Sequence, residues 1–237
     1  MGGPTLDAPA TSTVRAVDPH AYRPLLAGRA RGSAVVVILL AITVIAVLGM
    51  RYADQEAAGR LDLMLDTYIR DRFQRDNLIT AALVSLGNPA PAALLAAAVA
   101  SAAAVARRWA GVVLTLGGTV TAVVITELIL KPLIGRLRYG HLSFPSGHTT
   151  AVCSVAIAAV LMLATARRPG SAVLRLVASL MPVVVAGSVA IALVARHMHY
   201  ATDTLAGCCV AAATVPALAL VIDSLALHAQ SRRSQKS

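Results

Sequence analysis

Long apolar runs separated by short polar segments make up most of this chain. The runs cover residues 33–50, 91–107, 109–130, 149–166, 176–195 and 204–222. Each is close to the roughly 20 residues that a helix needs to cross the hydrocarbon core of a bilayer. Backbone polar groups inside a membrane must be bonded within their own segment, so each run is predicted to be a helix. The pattern therefore predicts an all-α fold, a bundle of six transmembrane helices.

Two further segments between the first two runs have helical character. Residues 78–86 are apolar and are followed by the turn-forming stretch Gly87–Pro91, so they are predicted to form a short helix leading into the second span. The segment 51–76 is predicted to be an amphipathic helix packed on the outer face of the bundle, and a cap over a binding site is the alternative. Its apolar residues recur at helical spacing: Leu61, Met64, Leu65, Tyr68 and Ile69.

The ends of the chain differ from its centre. The first 32 residues contain four prolines and lack the layout of a cleaved signal peptide. We expect residues 1–32 to form a flexible cytoplasmic tail, residues 33–227 to form the six-span domain, and residues 228–237 to form a basic cytoplasmic tail.

The distribution of charged residues predicts how the chain is oriented in the membrane. Six spans put both termini on one side, and that side then carries 12 of the 21 basic residues. Five of the nine on the opposite side lie in 51–76, interleaved with six acidic residues. Cytoplasmic loops carry an excess of Lys and Arg, so the termini are predicted to be cytoplasmic and the 51–76 helix extracytoplasmic.

Composition supports a membrane protein and excludes other classes. Hydrophobic residues make up 57% of the chain and charged residues 14%, against about 25% charged in soluble domains. The net charge of +10 lies in short clusters between apolar runs rather than on one basic face, which argues against a nucleic-acid partner. The three cysteines, Cys153, Cys208 and Cys209, lie inside apolar runs and are interpreted as small apolar residues.

Ionisable residues gather at two junctions on the predicted extracytoplasmic side. The first junction runs from Glu127 to Thr149 between the third and fourth spans, and the second runs from Arg196 to Asp203 between the fifth and sixth. Ionisable residues at the ends of spans usually mark a functional site. Several fixed cations point to an anion, most simply a phosphate.

The spacing within the junctions suggests how a phosphate is held and attacked. Ser146 is predicted to cap a helix that starts at Gly147, and a helix N-terminus is an anion site. His199 and Asp203 are four residues apart, so a helix would bring them together, and the carboxylate would make the imidazole a better nucleophile. His148 is expected to protonate the leaving oxygen. These parts fit a phosphohistidine mechanism with no metal and no cofactor.

The same residues resemble the type 2 phosphatidic acid phosphatases, which are related to vanadium haloperoxidases. The first family motif, K-x-x-x-x-x-x-R-P, matches from Lys131 to Arg138, with Tyr139 in place of the proline. The second, P-S-G-H, matches at 145–148, and the third ends at His199 and Asp203. The resemblance implies that His199 is the nucleophile, oriented by Asp203. It also implies the remaining roles, which are proton transfer by His148 and phosphate binding by Lys131, Arg138, Ser146 and Gly147.

The third motif departs from the family pattern. Ala192 and Leu193 stand where the family has Ser and Arg, and Arg196 lies three residues before His199 instead of six. A shift of three residues turns a helix by about 300°, so Arg196 is expected to reach the phosphate from a nearby direction. Arg136 is a possible substitute, although a snorkelling or lipid-contacting role is favoured for it.

Other polar residues near the junctions are expected to have structural rather than catalytic roles. Glu127 is expected to be a counter-ion that orients Lys131, the Asn88 segment to be only a turn, and His141 and His197 to be solvated loop residues.

The sequence thus predicts a multi-pass enzyme of the cell membrane that hydrolyses a phosphate monoester or diphosphate on a lipid at the extracytoplasmic face. Polyprenyl phosphates or diphosphates, phosphatidic acid and phosphatidylglycerol phosphate are candidate substrates. A lipid phosphotransferase of the same fold and a non-catalytic protein that binds or transports lipid phosphates are the alternatives.

Overall fold

A computed structural model of the chain describes residues 22–73, 77–166 and 172–235, with the backbone alone for 172–175, 233 and 234. Its regular elements are α1 (Ala30–Tyr52), α2 (Arg60–Arg72), α3 (Leu78–Leu86), α4 (Pro89–Val105), α5 (Trp109–Val124), a π-helix (Ile125–Leu130), α6 (Lys131–Ile134), β1 (Leu137–Arg138), β2 (His141–Leu142), α7 (Gly147–Ala164), α8 (Ala172–Ala195) and α9 (Ala201–Ser234).

The described helices confirm the predicted all-α membrane bundle. Five helical stretches are long and apolar enough to cross a membrane: α1, α5 with its continuation to Ile134, α7, α8 and α9. The pair α3 and α4 meets the same test together, with a bend of 66° between them, and gives a sixth span if the pair crosses as one unit. The bend falls at Gly87 and Asn88, where the sequence predicted an interruption.

Helix α7 lies at the centre of the bundle and packs against α5, α8 and α9. Most residues of its first half are small and buried, from Thr149 to Ala158. Small residues let helix backbones approach closely, which is how membrane helices gain packing contacts. One close approach is at Gly207 of α9, where a Cβ would come 2.5 Å from the carbonyl oxygen of Ser146. This approach joins the two helices that carry the candidate site residues.

The two predicted tails are more ordered where the structure describes them. Residues 1–21 lie outside the described ranges, but Leu25 and Leu26 are buried and their amides donate to Asp223 of α9 at 2.8 and 3.0 Å. The Tyr22 hydroxyl donates to the same carboxylate at 2.6 Å. The expectation of a flexible tail is therefore wrong for residues 22–32, because a buried carboxylate fixes this segment.

At the other end, α9 continues to Ser234, so the predicted tail at 228–237 is helical over most of its length. Between Asp223 and Ser234 the sequence contains no glycine or proline that would end the helix.

Helix α2 is shorter than the predicted amphipathic segment and packs on the bundle through its acidic face. Its buried residues are Asp62 and Asp66, whereas Met64 and Tyr68 are 63% and 61% exposed. The helix packs through its acidic side against α8 and α9. The carboxylates thus find partners inside the protein, and the apolar side chains point outwards.

The third span changes helical type before it ends. The α-helical turns of α5 give way to the π-helix and then to α6, which Gly135 closes with a positive φ of 67°. Short π-helical segments are often found at functional sites. Here the π-helix carries Glu127 and leads directly to Lys131. After it, β1 and β2 pair antiparallel and hold Arg138 opposite His141.

Candidate active site

The two polar junctions meet around one cavity of about 800 Å³. Of the predicted site residues, five line this cavity: Lys131, Arg138, Gly147, His148 and His199. The rings of His148 and His199 lie with their centroids 6.0 Å apart. The structure thus brings together residues separated by up to 68 positions, from Lys131 to His199, in one small volume.

His199 faces Asp203, but not across a helical turn. Helix α9 begins at Ala201, so His199 lies in the turn before it, with its Nδ1 3.5 Å from Asp203 Oδ2. The same Asp203 oxygen accepts the Tyr200 amide at 3.1 Å. The two side chains are therefore close, although Nδ1 makes no hydrogen bond in the described part of the chain, and the predicted helical face is wrong, because His199 precedes α9. Nδ1 is buried, and the residue lines the cavity beside His148.

Arg136 is the buried partner of Asp203. Its Nη1 donates to Asp203 Oδ1 and to Thr202 Oγ1, both at 2.7 Å, and its Nη2 pairs with Asp62. The guanidinium lies between the rings of Tyr52 and Tyr200, 4.1 and 4.3 Å from their centroids. The side chain is fully buried. Arg136 is therefore neither a snorkelling residue nor a substitute phosphate ligand, and both expectations are wrong.

The acidic side of α2 holds the start of α9. Asp62 Oδ1 accepts the Thr202 amide at 3.1 Å and its hydroxyl at 2.7 Å, and Asp66 Oδ1 accepts the Ala201 amide at 2.9 Å. Carboxylates at a helix N-terminus satisfy free amides and interact favourably with the helix dipole. Burial raises the pKa of Asp66, whereas the hydrogen bond from the Ala201 amide and the charge of Arg70 act to lower it. Sequence reasoning missed both residues, although two acids four positions apart were a visible signal.

Two cations line the cavity among the described residues. Lys131 Nζ bonds to Glu127 Oε2 at 2.8 Å, as predicted for a counter-ion pair. Arg138 Nε donates to the His197 carbonyl at 3.1 Å, and its guanidinium lies 4.0 Å from the centroid of the Tyr200 ring. Burial raises the pKa of Tyr200. Arg138 Nη1 is buried 3.9 Å from Asp66 Oδ2, so this side of the guanidinium faces the acidic side of α2.

Ser146 and Gly147 start α7 in different ways. Ser146 Oγ caps the helix, accepting from the Thr149 amide at 3.3 Å, and the side chain is fully buried. Its own amide donates to the Asp203 carbonyl at 3.0 Å, which ties the second motif to the third. Gly147 lines the cavity, whereas Ser146 does not. The structure therefore shows the predicted cap but does not place the Ser146 hydroxyl in the cavity.

His148 is held by the turn between α3 and α4. Its Nε2 lies 3.0 Å from Asn88 Oδ1. A Cβ on Gly87 would come 2.8 Å from the His148 Cβ, so only glycine fits there. The expectation that this segment is only a turn was incomplete. The contact between Asn88 and His148 could not be predicted from the sequence of this segment, because it joins residues 60 positions apart.

The altered third motif has a clear structural outcome. Leu193 is fully buried in an apolar cluster with Val152 and Val189. The residue that stands where the family has arginine therefore packs into the core. Arg196 lies in the turn after α8 and does not line the cavity. Arg196, expected to replace the missing cation, is therefore not among the residues that line the cavity. His141 and His197, expected in solvent, do line it.

The cavity also has an apolar arm. It extends from the cations between α4 and α5, where Ala92, Ala96, Leu116 and Val120 line it. One cavity therefore joins fixed charges and histidines to an apolar groove at the depth of the membrane helices. Within the described ranges, no three His, Cys, Asp or Glu side chains come together as a group that could hold a metal ion.

Comparison with known proteins agrees with this arrangement. The sequence profile of the PAP2 superfamily matches residues 92–224. No curated protein matches the chain. Among solved structures, the chain is similar to the transmembrane PAP2-type phosphatidylglycerolphosphate phosphatase from Bacillus subtilis, with a TM-score of 0.55 and 19% sequence identity over 84% of this chain and 96% of that one. The matched profile covers more than half of the chain, including every residue of the three motifs. This multi-pass membrane protein therefore belongs to the PAP2 superfamily, the family of type 2 phosphatidic acid phosphatases.

Proposed function

We propose that the protein hydrolyses the phosphate ester of a lipid phosphate through a phosphohistidine intermediate on His199. One observation carries the proposal: a single cavity joins His148, His199, Lys131 and Arg138 to an apolar groove between α4 and α5. The charged end suits a phosphate group and the groove suits a hydrocarbon chain. Polyprenyl phosphates or diphosphates, phosphatidic acid and phosphatidylglycerol phosphate all combine these two parts.

In the first step, the cavity-facing nitrogen of His199 attacks phosphorus. An N–P bond forms as the bond to the lipid oxygen breaks, and His148 gives its proton to that oxygen. Asp203 lies on the Nδ1 side of His199 and stabilises the positive charge that the ring acquires. In the second step, His148 removes a proton from water, which attacks phosphorus and breaks the N–P bond. The products are the lipid alcohol and inorganic phosphate, and His199 is restored.

The cations and the start of α7 hold the phosphate oxygens during both steps. Lys131 supplies a point charge, and Arg138 supplies a guanidinium charge that lines the same cavity. The amide of Gly147 belongs to the first turn of α7, where the helix dipole favours negative charge. These groups are fixed before the reaction, so they stabilise the transition state without reorganisation.

We also infer the orientation of the protein in the cell membrane. The excess of basic residues on the side of the termini favours a cytoplasmic location for both. The cavity then opens near the extracytoplasmic face, where a lipid phosphate of the outer leaflet reaches it.

The test is phosphate release by detergent-purified protein from a panel of lipid phosphates, with EDTA present. We expect release by the wild type, and a loss of at least about 10³-fold in His199→Ala, since the nucleophile is removed. His228→Ala, at an exposed position near the end of α9, is the matched control. Full turnover by His199→Ala would refute the nucleophile assignment. Phosphate found on an added alcohol instead of in water would identify a phosphotransferase.

A further inference from the structure

Glu127 brings a negative charge into the part of the cavity that is expected to bind phosphate. Its Oε2 accepts from Lys131 Nζ at 2.8 Å, and its side chain lines the cavity with that lysine. The carboxylate is 39% exposed, while the lysine is 15% exposed. A counter-ion that only oriented Lys131 would need no other contact. Glu127 makes a second contact, at the start of α7.

The other carboxylate oxygen lies against Gly147. A Cβ on Gly147 would come 2.0 Å from Glu127 Oε1, so the carboxylate occupies the space in front of the first residue of α7. The amides of the first turn of a helix have no carbonyl partner within it, and the dipole makes this end positive. Glu127 therefore bonds to the lysine and lies against Gly147 at the helix start, beside both positive features that a phosphate in this cavity would use.

Glu127 lies in the π-helix, which spans Ile125–Leu130 and ends directly before Lys131. Side chains four positions apart on a helix lie on the same face. Glu127 and Lys131 both line the cavity, so this end of the third span brings an acid, as well as a base, to the candidate phosphate site.

We propose that Glu127 is a specificity-determining residue that competes with phosphate for Lys131 and the start of α7. This inference rests on the proposed phosphate site. An incoming phosphate must displace the carboxylate, so the charged end of the cavity by itself binds anions weakly. A lipid phosphate offsets this cost through its chain in the apolar groove, whereas inorganic phosphate and small soluble esters cannot. After hydrolysis, the return of Glu127 to Lys131 favours the release of inorganic phosphate.

The test compares the binding of inorganic phosphate to wild type and Glu127→Gln. The variant keeps the size and the carbonyl oxygen of the side chain but removes the charge. Binding is measured by the rise of the unfolding temperature of detergent-purified protein with phosphate concentration, which needs no turnover. We expect the dissociation constant to fall about tenfold, a conservative value for one nearby charge in a partly exposed site. Glu56→Gln, an exposed acid outside the cavity lining, controls for net charge and is expected to leave binding unchanged.

The opposite result would overturn the inference. If Glu127 served only to orient Lys131, the variant would bind phosphate more weakly, and an unchanged constant would likewise refute competition. Lys131→Gln separates this failure from a failure of the proposed site. If phosphate stabilises the wild type and Lys131→Gln removes that effect, the site exists and only the role of Glu127 is in question. If phosphate stabilises none of the proteins while lipid phosphates are still hydrolysed, the competition model fails but the enzymatic proposal stands.

Discussion

The buried charge cluster around Arg136 gives the sharpest prediction. Arg136 lies between two carboxylates, Asp62 and Asp203, and all three side chains are fully buried. Together they carry a net charge of −1. Replacing Arg136 with Met keeps an apolar chain between the two tyrosine rings but leaves both carboxylates without their shared cation. It also removes the hydrogen bond to Thr202.

The size of the effect follows from the loss of one partner in a buried ion pair. Such a loss costs about 3–5 kcal/mol, because an uncompensated charge stays buried. For a chain of this length each kcal/mol lowers the unfolding temperature by about 2–4 °C, so Arg136→Met is expected to unfold roughly 6–20 °C below the wild type. Turnover is expected to fall as well, because Asp203 loses one of the groups that fix its orientation towards His199.

The assay is thermal unfolding of purified protein in one detergent, with Arg60→Met as the control. Arg60 is an exposed arginine on α2, so its replacement removes the same charge without touching the cluster. Asp62→Asn serves as a milder second variant in case Arg136→Met does not fold. It keeps the shape and is expected to lose about 1–3 kcal/mol, since Arg136 retains Asp203. An unfolding temperature for Arg136→Met within 2 °C or so of the Arg60→Met control would contradict this account of the cluster.

Three further predictions concern contacts that the sequence did not reveal. Asn88→Ala should lower kcat by up to about 10²-fold with little change in stability, because His148 loses the amide that positions it; unchanged kinetics would show that the contact is dispensable. Asp223→Ala should cost roughly 2–6 kcal/mol, since two buried amides lose their acceptor, and faster tryptic cleavage ahead of α1 would report the release of that segment. Cys153 and Cys208 have their sulfur atoms 3.1 Å apart, so oxidation by copper-phenanthroline should cross-link α7 to α9. Mass spectrometry is expected to find this disulfide and no cross-link to Cys209.

Much of the architecture was predictable because membrane insertion depends on local properties. A helix must contain enough consecutive apolar residues to cross the bilayer, and this length can be counted in the sequence. The helices and their order follow from that count, and so does the interruption at Gly87. The three motifs could also be recognised in the sequence, because Lys131, His148 and His199 keep the family spacing and lie at the ends of spans.

Other features depended on distant parts of the chain. The spacing of apolar residues in α2 indicated two unlike faces but not which one would meet the protein. Around a membrane protein, apolar side chains are tolerated on the outside, so the direction was decided by the partners of Asp62 and Asp66 at the start of α9. Arg136 likewise became a buried structural cation because its partners, Asp62 and Asp203, lie in distant parts of the chain. The place of Arg196 depended on the turn after α8, whose course cannot be read from helical spacing.

The sequence by itself thus determined the spans, their order and the residue types available for phosphate chemistry, because these depend on local hydrophobicity and motif spacing. Only the tertiary structure decided which of those residues share the cavity. It brought Asn88 to His148, Arg136 to Asp203 and Glu127 to Gly147. Each of these contacts depends on how separate helices pack and turn, and hydrogen bonds and charges in a buried site are satisfied across such distances rather than along the chain.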